Sequence, residues 1–509
     1  MGGEADVVTF LYRIPYAKTG NSAGMAGPSC VLGDSDDPGN VFVRTIGLAG
    51  VVMIWLTVIV VFVTFTCIDT SKKLELKKRD TAKVPTPKAV CKNRKFCKNG
   101  GTLMCSRRTR KCICTDGLTG RRCNEYIGKE EYQEFVSFIL RDTQMQQDPP
   151  SIFMTTDTPT DVKITTMETS EDQMTSFDSS ITIPYPEFGT TISPEMKAIR
   201  IRSRENITVA VSAHQDISTL IPTEKLSTSY IFSTPIRDSA FQAYIAITVT
   251  AIHDNTSITF SDLGDSTSQE YTLNALETRI QDYRGTDPRA YNVQSSKPVA
   301  VFCGMYCMSD ANCNNMIEQI PPSSQLDTVY IIPPNIDKIT AVLIVPLKDT
   351  TLFEENDSYP VVSGNIYFDG MLNDVLIRRS TDPIIVTTYA LDEDLSVGAP
   401  YWTVVPGVNQ YLPRYKIIIP TGWNGNYIAI MIRKSVVGGL RVNEQSIDAN
   451  SIRFEKDVFV EAVEYSVIVA EVPEGELILD TIDDTPFGLM VYGSRPVGGY
   501  GFAGNVILR

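Results

Sequence analysis

Histidine is nearly missing from this 509-residue chain: His214 and His253 are the whole complement. Histidine titrates closest to neutrality and is the commonest metal ligand, so histidine-based catalysis and metal sites have little material here. The nucleophile elbow G-x-S-x-G is also absent, and His253-Asp254 then reads as part of a turn. A glycine pattern does occur at Gly499-Tyr-Gly501-Phe-Ala-Gly504, but only five residues follow it. No helix fits in that space to meet a pyrophosphate, so these glycines are expected in a turn at a sheet edge. Few stretches carry helical periodicity over three turns.

Charge is missing altogether from Thr45 to Ile68, between Arg44 and Asp69. As a helix that run would extend about 36 Å, enough to cross a bilayer. It is too long and too far from the N-terminus for a cleaved signal, so a single signal-anchor helix over 45–68 is expected. Residues 1–44, rich in Gly, Ser, Asp and Pro without a sustained period, are expected to form a disordered cytosolic tail.

The formal charge of −14 conceals an asymmetry. Residues 1–68 carry 3 basic and 5 acidic side chains, residues 69–123 carry 17 and 4, and residues 124–509 carry 26 and 51. A basic stalk over 69–90 thus leads towards a strongly acidic body, whose sign argues against a nucleic-acid partner. Lys72, Lys73, Lys77, Lys78 and Arg79 just past the apolar run would by charge bias keep that side in the cytosol. Against them stand clustered cysteines and three glycosylation sequons, at Asn206, Asn255 and Asn356. The expected orientation is N-terminus inside and C-terminus outside, at the plasma membrane.

Six of the 11 cysteines fall between Cys91 and Cys123, spaced C-x5-C-x7-C-x6-C-x-C-x8-C. Spacing alone allows fifteen connectivities. Cys112-Ile-Cys114 and the closing Cys114-x8-Cys123, with Gly117 and Gly120 at turn positions, resemble the epidermal-growth-factor-like module. That resemblance implies the pairs Cys91–Cys105, Cys97–Cys112 and Cys114–Cys123, and a rigid spacer over 91–123. Pro87-Lys88-Ala89-Val90 before the first cysteine offers no carboxylate, so no calcium is expected, and close C-x2-C pairs for zinc are absent. Cys30 and Cys67 are uninformative.

Beyond Asn124 the chain turns to short runs of Val, Ile, Thr and Tyr broken by turn residues. Tyr244-Ile-Ala-Ile-Thr-Val-Thr-Ala, Ile339-Thr-Ala-Val-Leu-Ile-Val, Tyr427-Ile-Ala-Ile-Met-Ile and Tyr465-Ser-Val-Ile-Val-Ala-Glu-Val read as strands. Tyr244-Ile-Ala-Ile and Tyr427-Ile-Ala-Ile open comparable strands. Asp254-Asn-Thr-Ser-Ile-Thr-Phe, Asp349-Thr-Thr-Leu-Phe and Gly438-Gly-Leu-Arg-Val follow comparable strands, so repeated β-modules are expected. The fold class is mainly β: a repeated, sandwich-like body, one small disulfide-rich module and one transmembrane helix. The Thr- and Ser-rich stretch 155–181 reads either as strands with polar turns or as an O-glycosylated segment.

Several blocks in order resemble the N-terminal domain of the IgG Fc-binding protein family over roughly 127–509. They are Glu134-Phe-Val-Ser-Phe, Lys197-Ala-Ile-Arg-Ile-Arg-Ser with Asn206-Ile-Thr-Val, Asp254-Asn-Thr-Ser-Ile-Thr, Ser296-Lys-Pro-Val-Ala-Val-Phe-Cys-Gly, Glu318-Gln-Ile-Pro-Pro, Pro486-Phe-Gly-Leu-Met-Val-Tyr-Gly and Tyr500-Gly-Phe-Ala-Gly. The resemblance implies an extracellular binding or adhesive role and one disulfide, Cys307–Cys313, which leaves Cys303 as a buried thiol. Antibody binding does not follow, because no Fc-contacting motif is identifiable.

The expected function is recognition of a matrix, mucus or cell-surface ligand, protein or glycan, by an integral membrane protein, with no catalytic residue, cofactor or metal. Two other classes remain open: a glycoside hydrolase using two of the many ectodomain carboxylates, and a structural surface component without a discrete ligand.

Overall fold

The computed structural model of the protein describes residues 102–105, 110–113, 118–119, 125–126, 132–138, 150–166, 173–185, 196–213, 216–236, 243–307, 315–336, 338–354, 357–391, 401–495 and 498–505. The expected membrane helix over 45–68 lies outside them, as do the tail and the stalk. Among the described residues no helix is long and apolar enough to cross a membrane. The chain divides into two compact units, Arg13–Ile127 and one holding Gly128–Arg509.

In the smaller unit, Thr102–Cys105 pairs antiparallel with Arg110–Ile113, setting Leu103 opposite Cys112, and Leu118–Thr119 pairs with Glu125–Tyr126. The cysteine side chains lie outside the described residues, and with them the expected pairs Cys91–Cys105, Cys97–Cys112 and Cys114–Cys123.

The larger unit is antiparallel β with short 3₁₀ turns. One strand plan recurs in it four times. The second copy shows it most fully: Ser227–Ser233, Ala243–Ala251, Thr256–Asp262, Thr267–Leu273, Glu277–Tyr283, Ala290–Cys307 and Met316–Gln319. The long strand Ala290–Cys307 serves two layers. Its first half pairs with Ser227–Ser233 and Thr256–Asp262, its second half with Ala243–Ala251 and Met316–Gln319, and the register shifts between them. The third copy repeats this with Leu376–Leu391 as the shared strand, closed by Trp402–Val404. In the first copy the shared strand is split into Ile199–Ser203 and Ile207–Ala213, closed by Asp216–Thr219. In the fourth it is split into Gly475–Thr481 and Gly488–Arg495, closed by Gly498–Ala503. Each copy is thus a two-layered sandwich. The two Tyr-Ile-Ala-Ile segments lie in the equivalent strands Ala243–Ala251 and Gly425–Arg433, and the three segments expected to follow such strands contribute the equivalent strands Thr256–Asp262, Thr350–Glu354 and Leu440–Val442.

Sequence pattern decides which layer each strand joins. Ile199–Ser203 alternates buried and half-buried positions, with Arg200 and Arg202 turned out to Glu134 at 3.3 and 2.6 Å. Such a strand faces a core on one side and water on the other. Ala243–Ala251 is buried at nearly every position. Ile245, Ile247 and Val249 point into their own sandwich, whereas Ala246 packs with Ile152, Val209 and Phe135 of the first module. The second layer of each later module is therefore buried twice, once in its own core and once against the module before it, and a continuous apolar run is what that position requires. The first module completes the series: Ile217, with Phe153 and Ala210, packs into the core of the fourth. The four modules close into a ring.

A tyrosine latch recurs at the start of modules two, three and four. Short 3₁₀ turns at Thr223–Lys225, Ser323–Gln325 and Val408–Gln410 are each followed, five residues after their last member, by Tyr230, Tyr330 and Tyr415. Each hydroxyl accepts an N–H three residues upstream, from Ser227, Asp327 and Leu412, at 2.9–3.0 Å. Each donates at 2.6 Å to a carbonyl directly after a proline: Val299, Ile384 and Phe487. The first module has Phe135 at the equivalent place, and there the strand partner is Gln133 Oε1, which accepts the Ile207 N–H at 2.7 Å.

Candidate functional site

The closing strands of the four modules run together at the middle of the ring. Backbone bonds fix their alignment, since Leu220, Ile320, Val405 and Gly504 each donate to the shared strand of their own module. Counting back three residues gives Ile217, Ile317, Trp402 and Gly501. All four backbone N–H groups point at one side chain. Asp216 Oδ1 accepts from Ile217 at 3.0 Å and from Gly501 at 3.1 Å, Oδ2 accepts from Ile317 at 3.4 Å, and Trp402 supplies a fourth. Asp216 is fully buried. Its equivalents Met316, Tyr401 and Tyr500 are buried as well and carry no charge.

Glu318 lies beside this hub on the closing strand of the second module. Its Oε1 accepts from the Val404 N–H at 3.3 Å and the Thr403 hydroxyl at 3.5 Å, across the boundary to the third module. Gln319 binds the first module, accepting the Ile221 N–H at 2.8 Å while its own N–H donates to Ser218 Oγ at 2.9 Å. Burial raises the carboxyls of both Asp216 and Glu318, and for Glu318 the negative charge of Asp216 adds to the effect. The four N–H bonds oppose burial at Asp216, so of the two it is the better placed to carry charge.

Glycine is required at Gly501, beside the hub. A Cβ on Gly501 would fall 2.1 Å from the ring of Tyr401, itself buried. This corrects the expectation for Gly499-Tyr-Gly501-Phe-Ala-Gly504. Its first five residues lie in the buried closing strand Gly498–Ala503 and the last directly after it, where the missing side chains admit aromatic neighbours.

The sequence-derived sites fall elsewhere. Asn206 and Asn255 are exposed; Asn255 sits in the turn after Ala243–Ala251 with φ of 54°, a conformation asparagine tolerates. Asn356 lies outside the described residues. His253 is exposed in the same turn as Asn255, and His214 is not among the described residues. Cys303 is a buried free thiol, which burial pushes upward in pKa. Cys307 is described only as strand backbone and Cys313 not at all, so the pair Cys307–Cys313 lies outside the described side chains. The stretch 155–181 holds strand and turn residues among its described members.

Two open clefts mark the first module. One, of ≈ 460 Å³, is lined by Tyr132, Lys163, Met174, Asp178, Arg202 and Arg204, with Arg204 over the Tyr132 ring at 5.9 Å. The other, of ≈ 400 Å³, lies at the seam with the fourth module and is lined by Asn206, Lys225 and Lys416 among others. At that seam Lys416 Nζ donates to Thr156 O and Ser179 Oγ, both at 2.6 Å.

A family model described as IgGFc binding protein matches residues 216–493, more than half of the chain. The chain belongs to that family. The IgGFc binding match opens at the hub aspartate and runs into the last shared strand, so it takes in the three modules that carry the tyrosine latch. The resemblance blocks from Asp254 to Pro486 lie inside it; Glu134-Phe-Val-Ser-Phe, Lys197-Ala-Ile-Arg and Tyr500-Gly-Phe-Ala-Gly lie beyond it. A human protein named IgGFc-binding protein is 24% identical over 350 residues, which is 60% of this chain and 6% of the human one. The chain therefore corresponds to a small part of that relative's length.

Proposed function

We propose that this chain is a membrane-anchored recognition protein whose ring of β-modules stands outside the cell and binds a matrix, mucus or cell-surface ligand. Membership of the IgGFc binding family carries the reading, together with a ring fastened from within by Asp216. Surfaces held by such a hub are set before a ligand arrives, so little ordering entropy opposes binding. On this reading residues 45–68 form the anchor, 91–123 a disulfide-stapled spacer with the pairs named above, and Cys307–Cys313 closes one loop of the body. Asn206 and Asn255, both exposed, and Asn356 carry N-glycans. The acidic charge of 124–509 favours basic partners at encounter. The name of the human relative makes IgG Fc the first ligand to try.

The test uses cells making the full chain. N-glycosidase should lower its mass, Asn206→Gln, Asn255→Gln and Asn356→Gln together should abolish that shift, and a membrane-impermeant protease should remove the body from intact cells. Labelled Fc, mucin and matrix proteins are then offered to the same cells, where saturable binding lost after protease treatment identifies the ligand class. A body that keeps one mass and resists the protease would overturn the reading.

A further inference from the structure

Both working residues of one glycosylation sequon, Asn206 and Thr208, line the ≈ 400 Å³ cleft at the seam of the first and fourth modules. Asn206 is exposed, and the backbone around it is held. Thr156 Oγ1 donates to its carbonyl at 3.3 Å, and the next N–H, of Ile207, donates to Gln133 Oε1 at 2.7 Å. The facing wall is as firm: Lys416 of the fourth module donates from Nζ to Thr156 O at 2.6 Å, and its carbonyl accepts from Thr155 Oγ1 at 2.8 Å. The third side is Pro222, Glu224 and Lys225, from the turn that opens the second module. Three modules thus meet around one sequon, at the seam that no linker of the chain crosses.

The lining is polar. Only Ile207 and Pro222 in it are apolar and no aromatic ring contributes, whereas Gln133 Nε2 and the side chains of Glu224 and Lys225 make no hydrogen bond or ion pair among the described residues. Two donors and an acceptor suit the hydroxyl and acetamido groups of a sugar. With so little apolar surface to bury, a free sugar would be held weakly here. A sugar joined to Asn206 is in another position: a short tether supplies an effective concentration of the order of millimolar, and weak contacts then suffice.

We propose that the glycan on Asn206 folds back into this cleft and fastens the closing seam of the ring. Its innermost sugars accept from Lys225 and Gln133 and donate to Glu224, so a graft on the first module grips the second and lies against Lys416 of the fourth. Acting as a ligand of the closed ring alone, it stabilises that form. The inference rests on the reading that this body stands outside the cell. Asn255, in its exposed turn, lines none of the clefts described above and serves as the internal comparison.

The experiment treats the native full chain on cells with N-glycosidase over time and follows each sequon by glycopeptide mass spectrometry. Release at Asn206 should run roughly tenfold more slowly than at Asn255, the factor that applies where only about one glycan in ten is open to the enzyme at any moment. Lys225→Ala should bring Asn206 up towards the Asn255 rate and leave Asn255 unchanged. In the detergent-solubilised full chain, Lys225→Ala should lower the melting temperature by about 2 °C, and should do nothing once Asn206→Gln has removed the glycan. Equal release at the two sites, or a Lys225→Ala effect that is the same with and without the glycan, would overturn the inference. Sugar at Asn255 with none at Asn206 sinks this inference alone, whereas sugar at neither takes the outer location down with it. Should Asn206→Gln not fold, the release rates decide.

Discussion

Asp216 and Gly501 lie 285 residues apart and are joined by a 3.1 Å hydrogen bond from the glycine N–H to the aspartate Oδ1. That bond fastens the last module to the first, and the same carboxyl group takes the equivalent N–H of the other three strands. Asp216→Ala leaves those donors buried without an acceptor and is expected to cost about 3–5 kcal/mol. Asp216→Asn keeps one acceptor oxygen and should cost less. Urea unfolding of both variants checks the order, and a loss of cooperativity in the alanine variant would show that the modules come apart separately.

Stability should fall as the solution is made alkaline. The carboxyls of Asp216 and Glu318 are raised, chiefly by burial, so they favour the folded state in protonated form. Their contribution is complete below the ordinary carboxylate range of about 4 and is lost as pH climbs through their raised folded values. Asp457 runs the other way: the Lys434 ammonium lowers it, so its contribution is present above the ordinary range and lost as pH falls through its lowered folded value. Melting temperature should decline as pH climbs through the raised values of Asp216 and Glu318. Glu318→Gln should flatten that decline, and a profile unchanged by the substitution would refute the assignment.

Removing one latch hydroxyl should loosen one module. Tyr230→Phe, Tyr330→Phe and Tyr415→Phe each strand a backbone N–H and a carbonyl, at about 1–3 kcal/mol apiece. The reverse change, Phe135→Tyr, should not stabilise, because Gln133 already serves the Ile207 N–H. Chemical denaturation of the four variants tests both halves.

Gly501→Ala should be more harmful than its single methyl suggests. The new Cβ would meet the buried Tyr401 ring at 2.1 Å, and overpacking of this kind costs about 1–3 kcal/mol. If Tyr401 is the obstacle, the double variant Gly501→Ala with Tyr401→Leu should recover part of the loss. No recovery would place the strain elsewhere.

Much of the body is legible in the sequence because local pattern governs it. Val, Ile, Thr and Tyr runs became strands, and the two Tyr-Ile-Ala-Ile segments occupy equivalent places in their sandwiches. The fourfold count is harder to read. The first module replaces the latch tyrosine with Phe135 and the proline of Pro298-Val299 with Asn206, so the words that would have matched are changed. A signal was nonetheless present: the spacing Leu226-x3-Tyr230, Leu326-x3-Tyr330 and Tyr411-x3-Tyr415, each behind a proline. The hub is beyond local reading, because nothing around Asp-Ile-Ser-Thr at 216–219 separates a ring centre from a surface turn. Its donors come from strands up to 285 residues away. Gly501 was misread for the same reason, as its neighbour Tyr401 is distant in sequence.

A symmetric ring has a centre that every repeat reaches from the same position. Four identical repeats would bring four buried carboxyl groups to that point to compete for the same four N–H donors. One acid with three neutral companions, Met316, Tyr401 and Tyr500, is stable only if the copies differ. In this molecule, divergence among the repeats is what lets them assemble, and an attempt to restore them to a common consensus would break the structure it set out to idealise.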